Sequence, residues 1–307
     1  MKFIAIKTSN GDITGKIALY CRVLKVSRQG FYYYLENIDK PWKYKALAAK
    51  MNEIIAEDEC NDTYGRHRMH DALKLKKDIE GGNFPHIPHE RTVYRIMEKL
   101  GMVHTPKRKP NGITKADKEA MKADDKIKRD FTAQEPLIKA VTDITEIKTV
   151  EGKLYVSAIE DCFDNAILGL SIANNMKAEL CVDTLKSAII AFPGLRGAIV
   201  HSDRGSQYTS NEYRMAIKKY EIIQSMNSAG GRCHDNAKCE SLWGRFKEEL
   251  LYGRYNTEKM SNADVKSLIW RYFMSYWNNR RISSANGGLP PMVKRKKYYE
   301  KIELKAG

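Results

Sequence analysis

The hydrophobic pattern of this 307-residue chain changes from helical to β-type near residue 137, and that change limits the folds open to it. Before residue 104, apolar residues recur mainly at helical spacing. Three β-rich runs come next, followed by a helix, a strand, a helix, a strand and a helix, at residues 137–150, 153–163, 166–173, 178–192, 197–203, 211–220, 221–225 and 235–252. The centre of the chain is therefore predicted to be an α/β domain.

This order of elements is that of the ribonuclease H-like fold. The prediction for residues 134–252 is a five-stranded mixed sheet with helices on both faces, which would form a catalytic core. In such sheets, ligands gather at the strand ends.

Helical segments precede this core and basic segments flank it. Residues 1–40 are predicted to be a helix-turn-helix-like segment with Ser27 as a helix N-cap. Residues 41–104 are predicted to be a second helical DNA-binding domain, whose last helix ends at Gly101. Residues 105–133 are predicted to be a basic linker that contains a helix, and 253–307 a small basic C-terminal extension. The spacing of Arg91, Thr92 and Arg95 is that of residues on a helix that lies in a DNA groove. An ordinary helix bundle fits the same pattern.

The charge distribution indicates a polyanionic partner. The chain has 53 Lys and Arg against 38 Asp and Glu, a net charge of +15. Residues 131–250 hold 14 basic and 16 acidic residues, whereas 251–307 hold 12 and 4. Basic arms around a slightly acidic centre suit an enzyme that handles double-stranded DNA, because the arms neutralise phosphates. A soluble basic protein without such a partner is the alternative.

Several classes of protein do not fit the sequence. No apolar run approaches the roughly 18 residues of a membrane helix, and the N-terminal apolar segment is too short for a signal peptide, so we expect a cytoplasmic protein. The six cysteines form no CxxC pair, which disfavours zinc and indicates reduced thiols. No phosphate-binding loop is present, so ATP use is not expected.

Three carboxylates occur where a metal site would be built. Asp143 lies inside an apolar strand, where it is costly unless paired or bound to a metal. Asp203 ends the fourth predicted strand, and Glu240 lies in the last helix on one stripe with Trp243 and Lys247. Hard oxygen ligands suit Mg²⁺ or Mn²⁺, and two ions would serve in-line displacement at phosphorus, with Lys247 directed at a phosphate.

Other residues have weaker claims to a role. His201 is either a packed histidine or a group that supports the site, and Asn236 either contacts DNA or begins a helix. Arg280 and Arg281 are predicted phosphate contacts. The remaining candidates are predicted to be turn, cap or packing residues: Asp161, Asp164, Trp243, Phe246, Trp270, Tyr272, Phe273, Tyr276 and Trp277.

The short sequences around the three acids resemble the motifs of a known protein family. VTDIT, HSDRGSQYTS and DNAKCES, in that order, resemble the catalytic motifs of insertion-sequence transposases in the DDE superfamily, which includes retroviral integrases. The chain is most similar to the second-reading-frame product of the large family whose transposase is split over two overlapping frames. CRVLKVSRQGFYYYL and YWNNRRISSANGGLPPMV extend the likeness over nearly the whole chain.

The resemblance implies a bacterial, nucleoid-associated transposase in which Asp143, Asp203 and Glu240 hold the metals. It also implies replicative movement through a circular intermediate, a dimer or larger assembly on paired DNA ends, and joint action with the first-frame product. Two rival functions use the same residues differently. One is a ribonuclease H-like nuclease or resolvase that cuts without joining, and the other is a DNA-binding regulator with a dead catalytic domain.

The chain departs from the family pattern at three places. Thirty-six residues separate Asp203 from Glu240, one more than is usual, and the loop NSAGGRC is expected to absorb the extra residue. Ala140 replaces a common tryptophan. Arg281 leads directly into Ile282 where a histidine is usual, which puts a peripheral contact in doubt.

Overall fold

The predicted five-stranded mixed sheet is present at the centre of the chain. It is seen in a computed structural model that describes residues 17–105, 124–227 and 237–306. The strands are β1 to β5 in chain order, at Lys139–Thr149, Gly152–Asp161, Ile167–Ala173, Ile199–Ser202 and Ile223–Met226. Their order across the sheet is β3-β2-β1-β4-β5. β1, β2 and β3 pair antiparallel, whereas β4 pairs parallel with both β1 and β5.

The helices follow the predicted periodicity closely. Those described are α1 to α11 in chain order, at Ile17–Val23, Arg28–Asn37, Lys45–Ala56, Arg66–Glu80, Glu90–Leu100, Ala178–Ala191, Ser206–Thr209, Asn211–Lys219, Ala237–Phe246, Asn262–Trp270 and Pro291–Ala306. Ser27 caps α2 by accepting a hydrogen bond from the Gly30 backbone N–H, as predicted. Gly101 ends α5 in the left-handed conformation, at φ +69°. Residues 106–123 of the predicted linker lie outside the described residues, and residues 124–133 contain no helix.

Helices cover both faces of the sheet, and each face has its own apolar core. On one face, α6 and α8 pack against strand residues such as Ala140 and Ile159. On the other face, Leu242, Trp243 and Phe246 of α9 pack against Val156 and Ala158 of β2 and against the C-terminal aromatic residues. Alternate residues of a strand face opposite sides of the sheet, so Asp143 of β1 lies on the α9 side.

The C-terminal segment is part of this core. Val265 and Ile269 of α10 are fully buried, as are Tyr272, Phe273 and Tyr276 of the π-helical turn that follows it, Arg271–Trp277. The predicted packing role of the aromatic cluster is correct for these residues, although Trp270 is 43% exposed. Residues 253–307 therefore complete the catalytic domain's core, and the boundary predicted at residue 252 does not separate two cores.

The chain divides into two compact units, Met1–Ala49 and Lys50–Gly307. The first division therefore falls within α3, later than the boundary predicted at residue 40. In the second unit, the predicted helical domain and the core share contacts: Arg68 of α4 is 3.0 Å from Glu249, and Cys60 belongs to the α9-side core. Among the described residues, no helix is both long and apolar enough to span a membrane.

We expect Gly169→Ala to destabilise the sheet strongly. A methyl group at Gly169 of β3 would collide with the Thr184 backbone oxygen of α6 and lie 2.8 Å from the Ala188 Cβ. Because backbone is involved, the expected loss of unfolding free energy is about 3 kcal/mol or more. Gly65→Ala is the control, since open space surrounds Gly65 and its helix-start position costs at most about 1 kcal/mol. Equal losses in urea denaturation would contradict the packing argument.

Candidate active site

Two of the predicted catalytic acids lie at neighbouring parallel strands. β1 and β4 pair through Val141 and His201; two residues later, Asp143 lies within β1 and Asp203 directly follows the end of β4. Asp143 faces α9, and the charge of Asp203 acts on Asp143, so the two carboxylates lie close together. Both side chains are half-buried.

α9 meets this pair through a tryptophan. The Trp243 indole Nε1 donates a hydrogen bond to Asp143 Oδ2 at 3.1 Å. Glu240 lies one turn earlier on the same stripe of α9 and is exposed. The sequence reasoning placed Trp243 in the core, which is correct, but it missed this hydrogen bond because no sequence pattern identifies the partner of a buried indole.

The site is electrostatically strained in the absence of a cation. Burial and, to a smaller extent, the negative charges of Asp203 and Glu240 raise the pKa of Asp143 to about 8, against hydrogen bonds from the Ile144 backbone and Trp243, which lower it. Burial also raises the pKa of Asp203, against a hydrogen bond from Gly205 and the charge of His201. A positive charge between the two aspartates would relieve their repulsion.

Asp203 is held by the turn that follows β4. The Gly205 backbone N–H donates to Asp203 Oδ1 at 2.9 Å, and a methyl group on Gly205 would lie 3.0 Å from the same oxygen. His201 is fully buried, with Nδ1 2.9 Å from Ser225 Oγ and Nε2 2.8 Å from Asn227 Oδ1. His201 thus lies behind Asp203 as a packed, hydrogen-bonded group.

Lys247 continues the stripe of Glu240 and Trp243. It begins a π-helical turn, Lys247–Leu251, and is half-buried. Burial lowers the pKa of Lys247, whereas the charges of Glu146 and Asp143 raise it. The ammonium group therefore lies within electrostatic reach of the predicted site.

The other predicted DNA contacts are dispersed. Arg91 and Arg95 of α5 and Arg280 are exposed, and Thr92 is half-buried. Asn236 lies outside the described residues. None of these described side chains joins the two aspartates.

Arg281 does not suit the predicted phosphate contact. It is 2% exposed, and its Nη2 and Nε atoms lie 2.6 and 2.7 Å from the two carboxylate oxygens of Glu249. Glu249 also accepts a hydrogen bond from Tyr272 and pairs with Arg68. Although burial raises the pKa of Glu249, Arg281 and Arg68 bring it down to about 2. The side chain of Arg281 therefore stabilises the fold. The prediction had treated it like its neighbour Arg280, which is exposed.

Asp161 and Asp164 have the structural roles that were predicted. Asp161 Oδ1 accepts from the Phe163 backbone N–H, and Asp164 Oδ1 accepts from Ala166. Both carboxylates also pair with the buried Arg295 of α11, at 2.6 and 2.7 Å. They are therefore satisfied within the fold and separate from the Asp143 pair.

The chemistry of the donor set fits a divalent cation. Asp143 and Asp203 supply hard oxygen atoms in a half-buried setting where their like charges repel. Within the described ranges, no three His, Cys, Asp or Glu side chains stand close enough together to hold an ion. The two aspartates thus form a pair, with Glu240 at its edge.

Arg281→Gln should reduce stability and leave DNA contacts intact. The change leaves the buried Glu249 carboxylate short of its main partner, so we expect a loss of about 3–5 kcal/mol in unfolding free energy. Arg280→Gln, an exposed neighbour, should change stability by less than about 0.5 kcal/mol. Similar denaturation curves for the two variants would refute the buried role of Arg281.

Asp143→Asn should remove a pH dependence of stability. The ordinary pKa of Asp143 is 3.8 and its folded value is about 8, so the folded chain holds more protons between these values and stability falls as pH rises through them. In chelator at pH 8, we expect the variant to be more stable than the wild type, with no such gain at pH 4. Parallel stability curves from pH 4 to 8 would contradict this.

Comparisons with known proteins agree with the resemblance noted in the sequence. Two family models, both described as "Integrase core domain", match residues 133–231 and 221–291. The chain is 28% identical over 293 residues to "Transposase InsF for insertion sequence IS3A" of Escherichia coli strain K12, covering 95% of this chain and 97% of that one.

Two further proteins show similarity to this chain. A chain in the cryo-EM structure of the simian T-cell lymphotropic virus intasome in complex with the PP2A regulatory subunit B56 gamma shares 15% identity, covering 69% of each chain, with a TM-score of 0.42. The chain is 31% identical over 279 residues to "Putative transposase InsK for insertion sequence element IS150" of Escherichia coli strain K12, covering 91% of this chain and 93% of that one. The chain therefore belongs to the family of insertion-sequence transposases with an integrase core domain, the IS3 family of DDE transposases.

Proposed function

We propose that this chain is a polynucleotidyl transferase that cuts the ends of an insertion sequence and joins the resulting 3′ hydroxyl to target DNA. The observation that carries the proposal is the proximity of Asp143 in β1 to Asp203, which follows the neighbouring parallel strand β4, next to the helix that bears Glu240. Family membership supports the same reaction class.

Asp143, Asp203 and Glu240 would hold one or two divalent cations. The ion would be Mg²⁺, for which Mn²⁺ could substitute. A bound divalent cation makes water or a hydroxyl a better nucleophile and stabilises the leaving oxygen at phosphorus. Glu240, exposed on α9, would join the aspartate pair when DNA and cation are present. His201 would not accept a proton in this reaction, because both of its ring nitrogens are hydrogen-bonded within the fold.

The surrounding cations would bind the DNA. Lys247, on the same stripe as Glu240, would contact a phosphate near the cleaved bond, because its ammonium lies within electrostatic reach of Asp143. Exposed Arg91, Arg95 and Arg280 would contact phosphates farther away. The joining step conserves one phosphodiester bond, so the reaction would need neither ATP nor a covalent protein–DNA intermediate.

The assembly and its setting are also proposals. A dimer or larger assembly would hold two element ends together, and the first-reading-frame product would act with it. The relatives are transposases of bacterial insertion sequences, which supports action on DNA in the bacterial cytoplasm at the nucleoid.

A strand-transfer assay tests this proposal. With an oligonucleotide of the element's own end and Mg²⁺, the wild type should cleave and join DNA. We expect Glu240→Gln, Asp143→Asn and Asp203→Asn each to lower both steps by more than about 100-fold, because losing a ligand should exceed the cost of losing an outer-shell partner. Joined products are measured on a denaturing gel.

Glu212→Gln is the matched control. Glu212 is exposed on α8, which packs on the face of the sheet opposite α9, so this variant should stay near wild-type activity. Cleavage without joining by the wild type would favour a nuclease or resolvase. DNA binding with no metal-dependent chemistry would favour a regulator, and full activity of Glu240→Gln would exclude Glu240 as a ligand.

A further inference from the structure

The indole N–H of Trp243 donates a hydrogen bond to one of the proposed catalytic acids. Trp243 is 6% exposed, and its Nε1 donates to Asp143 Oδ2 at 3.1 Å. A buried indole N–H requires an acceptor, and here the acceptor is one oxygen of a carboxylate rather than a backbone carbonyl. The hydrogen bond thus joins α9 to β1 at the proposed metal site.

The tryptophan ring is fixed by other aromatic rings. Its centroid is 6.3 Å from that of Phe246 and 6.0 Å from that of Phe273, with interplanar angles of 72° and 88°. Edge-to-face packing of this kind leaves the ring few alternative orientations. The direction of the N–H, and with it the position of Asp143 Oδ2, is therefore set by the core.

This arrangement restricts the carboxylate of Asp143. The hydrogen bond to Oδ2, together with one from the Ile144 backbone to the same side chain, limits rotation of the carboxylate group. The same bond fixes α9 against β1 one turn after Glu240, and so limits how far Glu240 can stand from Asp143. One donor thereby constrains two of the three proposed ligands.

We propose that Trp243 is a positioning residue: its N–H orients the Asp143 carboxylate for binding a divalent cation. The proposal rests on the function proposed above and deepens it. Trp243 would touch neither DNA nor cation, and would act through Asp143 in the way that outer-shell hydrogen bonds orient metal ligands.

Trp243→Phe tests the proposal by direct measurement of metal binding. The variant keeps an apolar ring in the core and loses the N–H. We expect calorimetric titration of the full chain with Mn²⁺ to give a dissociation constant raised about 10-fold. The Mg²⁺ concentration for half-maximal strand transfer should rise by a similar factor.

Trp277→Phe is the matched control. Trp277 is 2% exposed, belongs to the same aromatic core and also donates its Nε1–H, but to the backbone oxygen of Asn165 at 2.8 Å. Its loss removes the same group from the same core without touching an acid. Circular dichroism first confirms that both variants are folded, and Mn²⁺ affinity of Trp277→Phe should equal that of the wild type.

Asp143→Asn separates failure of this proposal from failure of the proposed function. If Asp143→Asn abolishes Mn²⁺ binding but Trp243→Phe binds as the wild type does, Trp243 has no positioning role. Equal weakening by the two tryptophan variants would likewise overturn the proposal, since it would reflect loosening of the core. Unchanged binding by Asp143→Asn would overturn the metal site itself.

Discussion

The parallel pairing of β1 with β4 is the constraint on which the site depends. It aligns Val141 with His201, and two residues later it brings Asp143 beside Asp203 from positions 60 residues apart in the chain. Parallel strands need a crossover between them, and here β2, β3 and α6 supply it. A slip of one residue in this register would turn one aspartate to the opposite face of the sheet.

Carboxylates placed in this way oppose folding unless a cation is present. Burial and mutual repulsion raise the pKa of Asp143 to about 8, so the protein carries an unfavourable arrangement at its centre. The surrounding structure holds it in place. Aromatic packing fixes α9, and buried ion pairs such as Arg281 with Glu249 fasten the C-terminal segment to the turn that follows α9. The domain's core and its proposed chemistry therefore share residues.

Much of the fold could be predicted from the sequence because local signals set it. Runs of β-forming residues predicted β1 to β3. Helical periodicity predicted the helices, and Ser27 and Gly101 predicted two of the helix ends. Asp143 stood out because a charge inside an apolar strand is unusual, whereas Asp203 and Glu240 stood out because HSDRGSQYTS and DNAKCES resemble transposase motifs. The proximity of Asp143 and Asp203 followed from the order of the elements, and the role of the three acids as ligands stays a prediction.

What could not be predicted depends on contacts between distant residues. Arg280 and Arg281 are adjacent and alike in sequence, yet one is exposed and the other is buried against Glu249, 32 residues earlier. The partner of Trp243 lies 100 residues away. The C-terminal segment looked like a basic extension because it holds 12 basic and 4 acidic residues, and the aromatic residues that enter the core are spaced among them. Pattern alone does not identify such partners.

The central claim is that Asp143, Asp203 and Glu240 hold a divalent cation. The most direct measurement is anomalous scattering at the manganese edge from crystals of the full chain grown with element-end DNA and Mn²⁺. The account predicts a peak between the carboxylates of Asp143 and Asp203, with Glu240 turned toward it. A fully occupied manganese peak elsewhere, with none between these two aspartates, would contradict it.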